Sequence, residues 1–435
     1  MAETTLTYNS ALVPKEENYI KRVIVSCMIG NALEWYDFAL YGYFATTIGQ
    51  LFFPQFSLFA SLMATYGIFA AGFVMRPLGG VIFGHIGDKI SRKTALLWSI
   101  YLMAFPTTLL GLLPTYDQVG WFAPLCLTLI RLVQGLSMGG EFTGSMIFVV
   151  EHAEKGKRGL YGSWVVFSLL LGILIGSAVA TGICYALSEE QLMTWGWRIP
   201  FLLSIIGAFT GIVMRRTVRE PKQFSQAKEL HKEHSTPLVI LFRKYSRLIG
   251  YVILIEFALS IGFFLITTFI NGFLTAFLHF DKVSSLMNTT YSMVAMGIAI
   301  LISGWLSDKI GRKPLLLFST LCFVVFSYPL FQALEGSPAS ALFAQVCLAI
   351  IMGIFFAPLP ATLVELFPIN VRYSGLSIAH SISMTIFGGS APLIATLLIQ
   401  HTDNNASPAL YLSGMCLISS VFLLFLKDKY KSELT

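Results

Sequence analysis

Ten residues in the first half of this chain recur in the second. Gly84-His-Ile-Gly-Asp-Lys-Ile-Ser-Arg-Lys93 reappears as Gly304-Trp-Leu-Ser-Asp-Lys-Ile-Gly-Arg-Lys313, 220 positions later in a chain of 435 residues. A repeat at half the chain length predicts two copies of one structural unit. Each copy joins the polar end of one long apolar segment to the start of the next, which places the unit in a membrane. Two related membrane halves around a central site are the architecture of a secondary transporter.

Apolar residues make up 55% of the chain and charged residues only 12%, too little charge to cover a soluble surface of this size. The length then provides for about a dozen spans rather than several water-soluble domains. Twelve apolar segments fall between residues 21 and 426. The expected fold is an all-α membrane protein with twelve transmembrane helices in two six-helix, pseudo-symmetric bundles. Residues 1–20 read as an N-terminal segment, 21–216 as the first bundle, 217–246 as a hydrophilic linker with room for a short amphipathic helix, 247–426 as the second bundle and 427–435 as a tail.

The positive charges sort to one side. Lys89, Arg92 and Lys93, then Lys155, Lys157 and Arg158, then Lys309, Arg312 and Lys313, and Arg372 share one set of loops, while Lys282 and Arg198 stand nearly alone on the other. This bias predicts that both termini are cytoplasmic. It also accounts for the net charge of +6, which does not point to nucleic acid. The first 18 residues are polar, so the first span itself is expected to target the chain. The six cysteines lie in apolar stretches without metal-ligand spacing and read as core residues. No Gly-rich phosphate cradle occurs, so direct use of ATP is not expected; no metal site and no cofactor are expected, with a proton gradient as the driving force.

In the repeated loop, Gly84 and Gly304 let two helix ends approach, and Asp88 is placed to cap a helix or pair with a cation. A second element is doubled as well. Glu151 precedes Arg158 by seven residues, and Glu365 precedes Arg372 by seven. The expectation is an ion-pair network of Asp88, Arg92, Glu151, Arg158, Asp308, Arg312, Glu365 and Arg372 that holds the halves together on the cytoplasmic side and gates the site.

The doubled loop resembles the signature of the major facilitator superfamily. Gly30-Asn-Ala-Leu-Glu-Trp-Tyr-Asp-Phe38, Met75-Arg-Pro-Leu-Gly-Gly80, Gln134-Gly-Leu-Ser-Met-Gly-Gly-Glu-Phe142, Trp195-Gly-Trp-Arg-Ile-Pro-Phe201 and Phe387-Gly-Gly-Ser-Ala-Pro392 are similar to its metabolite:proton symporter branch. The resemblance covers nearly the whole chain. It implies alternating access, proton-driven uptake of a small metabolite, a multi-pass location in a bacterial plasma (inner) membrane and function as a monomer. Osmosensing members of the betaine branch carry a long coiled-coil tail; this sequence reaches Thr435 without heptads, so activation by such a tail is not expected.

Charges inside spans mark function more often than packing. Glu34, Asp37 and Tyr41 form one stripe of the first helix, at i, i+3 and i+7. Counting from Lys21 at about 1.5 Å per residue puts Glu34 and Asp37 on the order of 20 Å into the membrane. Arg131, Gln134, Met138 and Glu141 form a second stripe on the fourth helix. The two stripes are expected to face each other, with Arg131 opposite Asp37 or Glu34. Burial raises a carboxylate's pKa and a nearby Arg lowers it, so such a site can take up and release a proton. Asp37, Glu34 and Glu141 are the proton-coupling candidates. Arg131, Gln134, Trp35, Tyr36, Tyr41, Trp164, Glu256 and His380 are the substrate-binding candidates, and Arg76 reads as a brace for the loop that follows it.

Glu34, Asp37, Glu141 and Glu256 outnumber Arg76 and Arg131 inside the spans. An acid excess with aromatics suits a zwitterion carrying a cationic nitrogen, and Phe142–Glu151 resembles proline/glycine-betaine transporters. The fifth helix has Ser177 after Gly176 rather than the Gly-Pro signature of drug:proton antiporters, which favours uptake. A proton-coupled importer of an organic acid is the first alternative, and a membrane sensor that binds without transporting is the second. An enzyme is not expected, because the spans hold no nucleophile–base spacing.

Overall fold

The computed structural model describes residues 16–230 and 237–434. The polar start of the chain and the part of the linker that includes Lys232 and Glu233 lie outside the described residues. Among the described residues there is no strand, and twelve helices are long and apolar enough to cross a membrane. A lipid environment demands that each span satisfy its own backbone, which helices do internally.

Spans 1 to 6 are Asn18–Tyr43, Ala60–Lys89, Arg92–Leu112, Phe122–His152, Arg158–Ala186 and Arg198–Thr217. Spans 7 to 12 are Ser246–Thr275, Ser284–Ile310, Arg312–Leu334, Pro338–Leu366, Arg372–Thr402 and Ser407–Leu424. With an even number of spans, both described ends lie on one face, which also carries both copies of the repeated loop. That face is called the basic face below. The linker after span 6 carries two short helices, Lys222–Leu230 and Pro237–Lys244.

Four spans depart from regular helix. Span 10 breaks at Ala357 and Pro358, between Pro338–Phe356 and Leu359–Leu366. Span 2 breaks at Met75, between Leu58–Val74 and Arg76–Lys89, because Pro77 offers no N–H to the preceding turn. Spans 7 and 11 contain π-helical turns at Leu265–Phe269 and Ser383–Gly388. Such turns insert an extra residue and recur at functional sites. The hydroxyls of Ser260 and Ser383 lie 2.7 Å apart and link these two spans beside the irregular turns.

The halves meet along two crossed seams, span 2 against span 11 and span 5 against span 8. Glycine makes both seams close. A Cβ at Gly84 would lie 2.5 Å from the Ser374 Cα, and one at Gly304 would collide with Ser163. Each seam therefore begins at the first residue of a repeated loop.

Candidate functional site

On the basic face the two repeated loops make the same bonds with the halves exchanged. Asp88 accepts the backbone N–H groups of Tyr373 at 2.9 Å and Ser374 at 2.8 Å, at the start of span 11. Asp308 accepts those of Gly159 and Leu160, both at 2.8 Å, at the start of span 5. A carboxylate there satisfies orphan donors and faces the positive end of the helix dipole.

Arginines tie these caps to the second doubled element. Arg92 pairs with Asp88 and, at 3.3 Å, with Glu151. Glu151 in turn binds Arg372 at 2.8 Å, across the halves. In the other copy, Arg312 pairs with Asp308 at 2.9 Å and Glu365 at 3.2 Å, and Glu365 reaches Arg158 at 3.5 Å.

A third doubled element lies just beyond the bundles. Glu220, after span 6, accepts the Ser91 hydroxyl at 2.7 Å and the Lys93 N–H at 3.3 Å. Asp428, after span 12, accepts the N–H groups of Arg312 at 2.7 Å and Lys313 at 3.0 Å. Farther along the tail, the Ser432 carbonyl accepts from Arg158 of the opposite half at 2.8 Å. Linker and tail thus dock onto the charged loops.

Deeper in the membrane, Asp37 accepts Arg131 Nη1 at 2.6 Å and Gln134 Nε2 at 3.0 Å. Gln134 also donates to the Thr107 hydroxyl at 2.8 Å. The Arg131 guanidinium lies 3.8 Å over the Tyr41 ring, whose hydroxyl donates to the Thr65 carbonyl. The stripes of spans 1 and 4 therefore face each other through Asp37 and Arg131. Arg131 Nε and Nη2 and Gln134 Oε1 have no hydrogen-bond partner among the described residues.

Glu141 stands apart from that pair. Arg215 of span 6 grips both of its oxygens, and the Ser99 and Ser145 hydroxyls donate to it. Arg215 is a third buried arginine inside the spans, beside Arg76 and Arg131, so the acid excess there is smaller than the count suggested. Space for it comes from Gly30, where a Cβ would collide with both Arg215 and Glu141. Tyr36 turns its hydroxyl to the Pro200 carbonyl at 2.7 Å, and Trp164 packs on Phe167. Neither of these two contacts is with the Asp37–Arg131 pair. Trp35 crosses the midline to meet Phe263 edge-on at 5.6 Å.

In the second half Glu256 hydrogen-bonds His380 at 2.9 Å, joining spans 7 and 11, and the Phe142 ring lies 5.1 Å from the imidazole. Among the described residues no group of His, Cys, Asp and Glu could hold a metal ion.

Comparison with known proteins agrees with this arrangement. Residues 23–240 match the sugar (and other) transporter family and residues 252–435 match the major facilitator superfamily. A putative proline/betaine transporter of Staphylococcus aureus (strain COL) is 35% identical over 418 residues, covering 93% of this chain and 88% of that protein. The chain belongs to the major facilitator superfamily. Two further relatives of this major facilitator protein are similar over 95% of it and 84% of their own length. They are the glycine betaine/proline/ectoine/pipecolic acid transporter OusA of Dickeya dadantii, at 32% identity, and the proline/betaine transporter of Escherichia coli (strain K12), at 30%.

Among solved structures, the proton:xylose symporter XylE bound to 6-bromo-6-deoxy-D-glucose superposes with a TM-score of 0.83 at 18% identity, over 97% of this chain and 98% of that one. The Escherichia coli fucose:proton symporter FucP gives 0.72 at 14% identity, over 95% and 100%. As a major facilitator protein the chain is a multi-pass inner-membrane transporter, not an enzyme, of a family whose symporters generally need no cofactor.

Proposed function

We propose that this transporter imports a small zwitterion, a compatible solute or amino acid such as proline or glycine betaine, together with protons. The observation that carries the coupling is the buried Asp37–Arg131 pair at 2.6 Å in the first half, with Gln134 and Tyr41 around it. Ionisable pairs inside a span, facing the bundle interior, are where transporters carry their coupling ions. The zwitterion reading rests on the relatives, whose names give proline and betaine.

In this reading the basic face is cytoplasmic, because Lys and Arg collect there. The ion pairs of Asp88, Glu151, Asp308 and Glu365 form the cytoplasmic gate, here closed. Breaking them opens the site inward, and one chain with the proton gradient suffices for the cycle.

The test is uptake into proteoliposomes with an inward proton gradient, across labelled proline, glycine betaine, 2-oxoglutarate, citrate and shikimate. Accumulation of proline or betaine, lost in Asp37→Asn, is the expected result. Accumulation of an organic acid would replace the substrate class, and binding without counterflow would make the protein a sensor.

A further inference from the structure

Where the two halves face each other, four buried titratable side chains converge with few bonds between them. Arg76 opens the second segment of span 2 and shares a helical face with Gly80 and Gly84. That face looks at span 11, since a Cβ at Gly80 would lie 2.8 Å from the Ser377 carbonyl and one at Gly84 would meet Ser374. The Thr385 hydroxyl donates to the Phe73 carbonyl at 3.1 Å, which sets span 11 alongside the break just before Arg76. Arg76 is thereby within electrostatic reach of Glu34 in its own half and of Glu256, the partner of His380, in the other.

These groups are closed off from solvent: Glu34 and Glu256 are 0% exposed, Arg76 1% and His380 2%. Yet Arg76 Nε and Nη1, both oxygens of Glu34, Oε2 of Glu256 and the indole N–H of Trp35 have no hydrogen-bond partner among the described residues. The nearby carboxylates behave differently. Asp37 is held by Arg131 and Gln134, and Glu141 by Arg215 and two serines. Among the described residues Arg76 makes no hydrogen bond to the loop it was expected to brace. Buried charges left unpaired are costly, and a membrane protein keeps them where a ligand completes them.

We propose that Arg76, Glu34 and Glu256 form the substrate-docking site for a small zwitterion, separate from the Asp37–Arg131 pair. Arg76 receives the carboxylate. Glu256 and Glu34 face the cationic nitrogen, with the Trp35 and Phe142 rings beside it. A ligand that bridges Glu34 of one half and Glu256 of the other also ties occupancy to closure. This assignment rests on the zwitterion reading above.

The test measures equilibrium binding to the purified full chain for glycine betaine and for choline, which keeps the trimethylammonium group and lacks the carboxylate. Wild type is expected to prefer betaine. Arg76→Gln should weaken betaine binding by roughly 10–100-fold, the loss of one charged hydrogen-bonding partner, and leave choline binding unchanged. Glu256→Gln should weaken both ligands. Should Arg76→Gln fail to fold, Arg76→Lys carries the test, because a point charge replaces the planar fork and still costs betaine selectively.

An Arg76 variant that binds betaine like wild type, or that loses both ligands alike, would overturn the site while leaving the transport reading intact. A wild-type protein that binds neither betaine nor proline would overturn the zwitterion reading itself, and this site with it.

Discussion

Asp88 caps a helix of the opposite half: its carboxylate accepts the backbone N–H of Tyr373 at 2.9 Å. The bond exists only while the basic face is closed. Replacing Asp88 by Asn removes the charge from the cap and from the pair with Arg92. The expected cost is about 1–2 kcal/mol, roughly a 5–30-fold shift toward the open form. A single Ser377→Cys in a background without the native cysteines reports it, because Ser377 is buried in the same seam. Unchanged maleimide labelling would sink the gate reading.

Gly84 supplies a steric version of the same test. A Cβ there would lie 2.5 Å from the Ser374 Cα, so Gly84→Ala overpacks the closed seam by about 1–3 kcal/mol. Labelling at Ser377→Cys should rise as it does for the Asp88 variant. Gly304→Ala, against Ser163, should act in the same direction at the other seam.

Glu141 was a proton-coupling candidate, and its geometry points to a structural pair with Arg215. Glu141→Gln leaves Arg215 buried and unpaired, a loss of about 3–5 kcal/mol. The measurement is thermal unfolding in detergent together with the pH profile of uptake. A lower midpoint with an unmoved profile is expected. A displaced profile would return Glu141 to the coupling machinery.

Asp37 and Arg131 should show the opposite signature of a coupled pair. Arg131→Gln strands the Asp37 charge, at a cost of about 3–5 kcal/mol. Asp37→Asn combined with Arg131→Gln should recover most of it, read as a non-additive shift in a double-mutant cycle of unfolding midpoints. Additive losses would mean that the 2.6 Å contact contributes little.

The gate region was legible in the sequence because its parts are doubled. Asp88 and Asp308, and the Glu–Arg pairs seven residues apart, stand out without any structure. The Asp37–Arg131 contact was legible from stripe spacing on two helices. Arg215 was not, since an arginine two residues from the end of a span looks the same whether it turns outward to water or inward to Glu141. Tyr36 and Trp164 show the same limit: Tyr36 sits next to Asp37 in sequence, yet its hydroxyl goes to Pro200, and Trp164 packs on Phe167. Arg76 was visible, but only packing on span 11 reveals that it looks across the midline. Glu220 and Asp428 follow spans 6 and 12 at unmatched spacing, so no repeat announced their shared role.

The exchange of caps between halves has a kinetic side. Asp88 and Asp308 are two fasteners on one joint, and each arm is anchored in the half that the other arm grips. When one lets go, the other keeps its mate within reach at a high effective concentration, so reattachment outpaces separation. Chance release of either arm is then brief and silent, and sustained opening requires both to be displaced together. A carrier fastened in this way resists slippage, the dissipation of its driving gradient through openings that carry nothing.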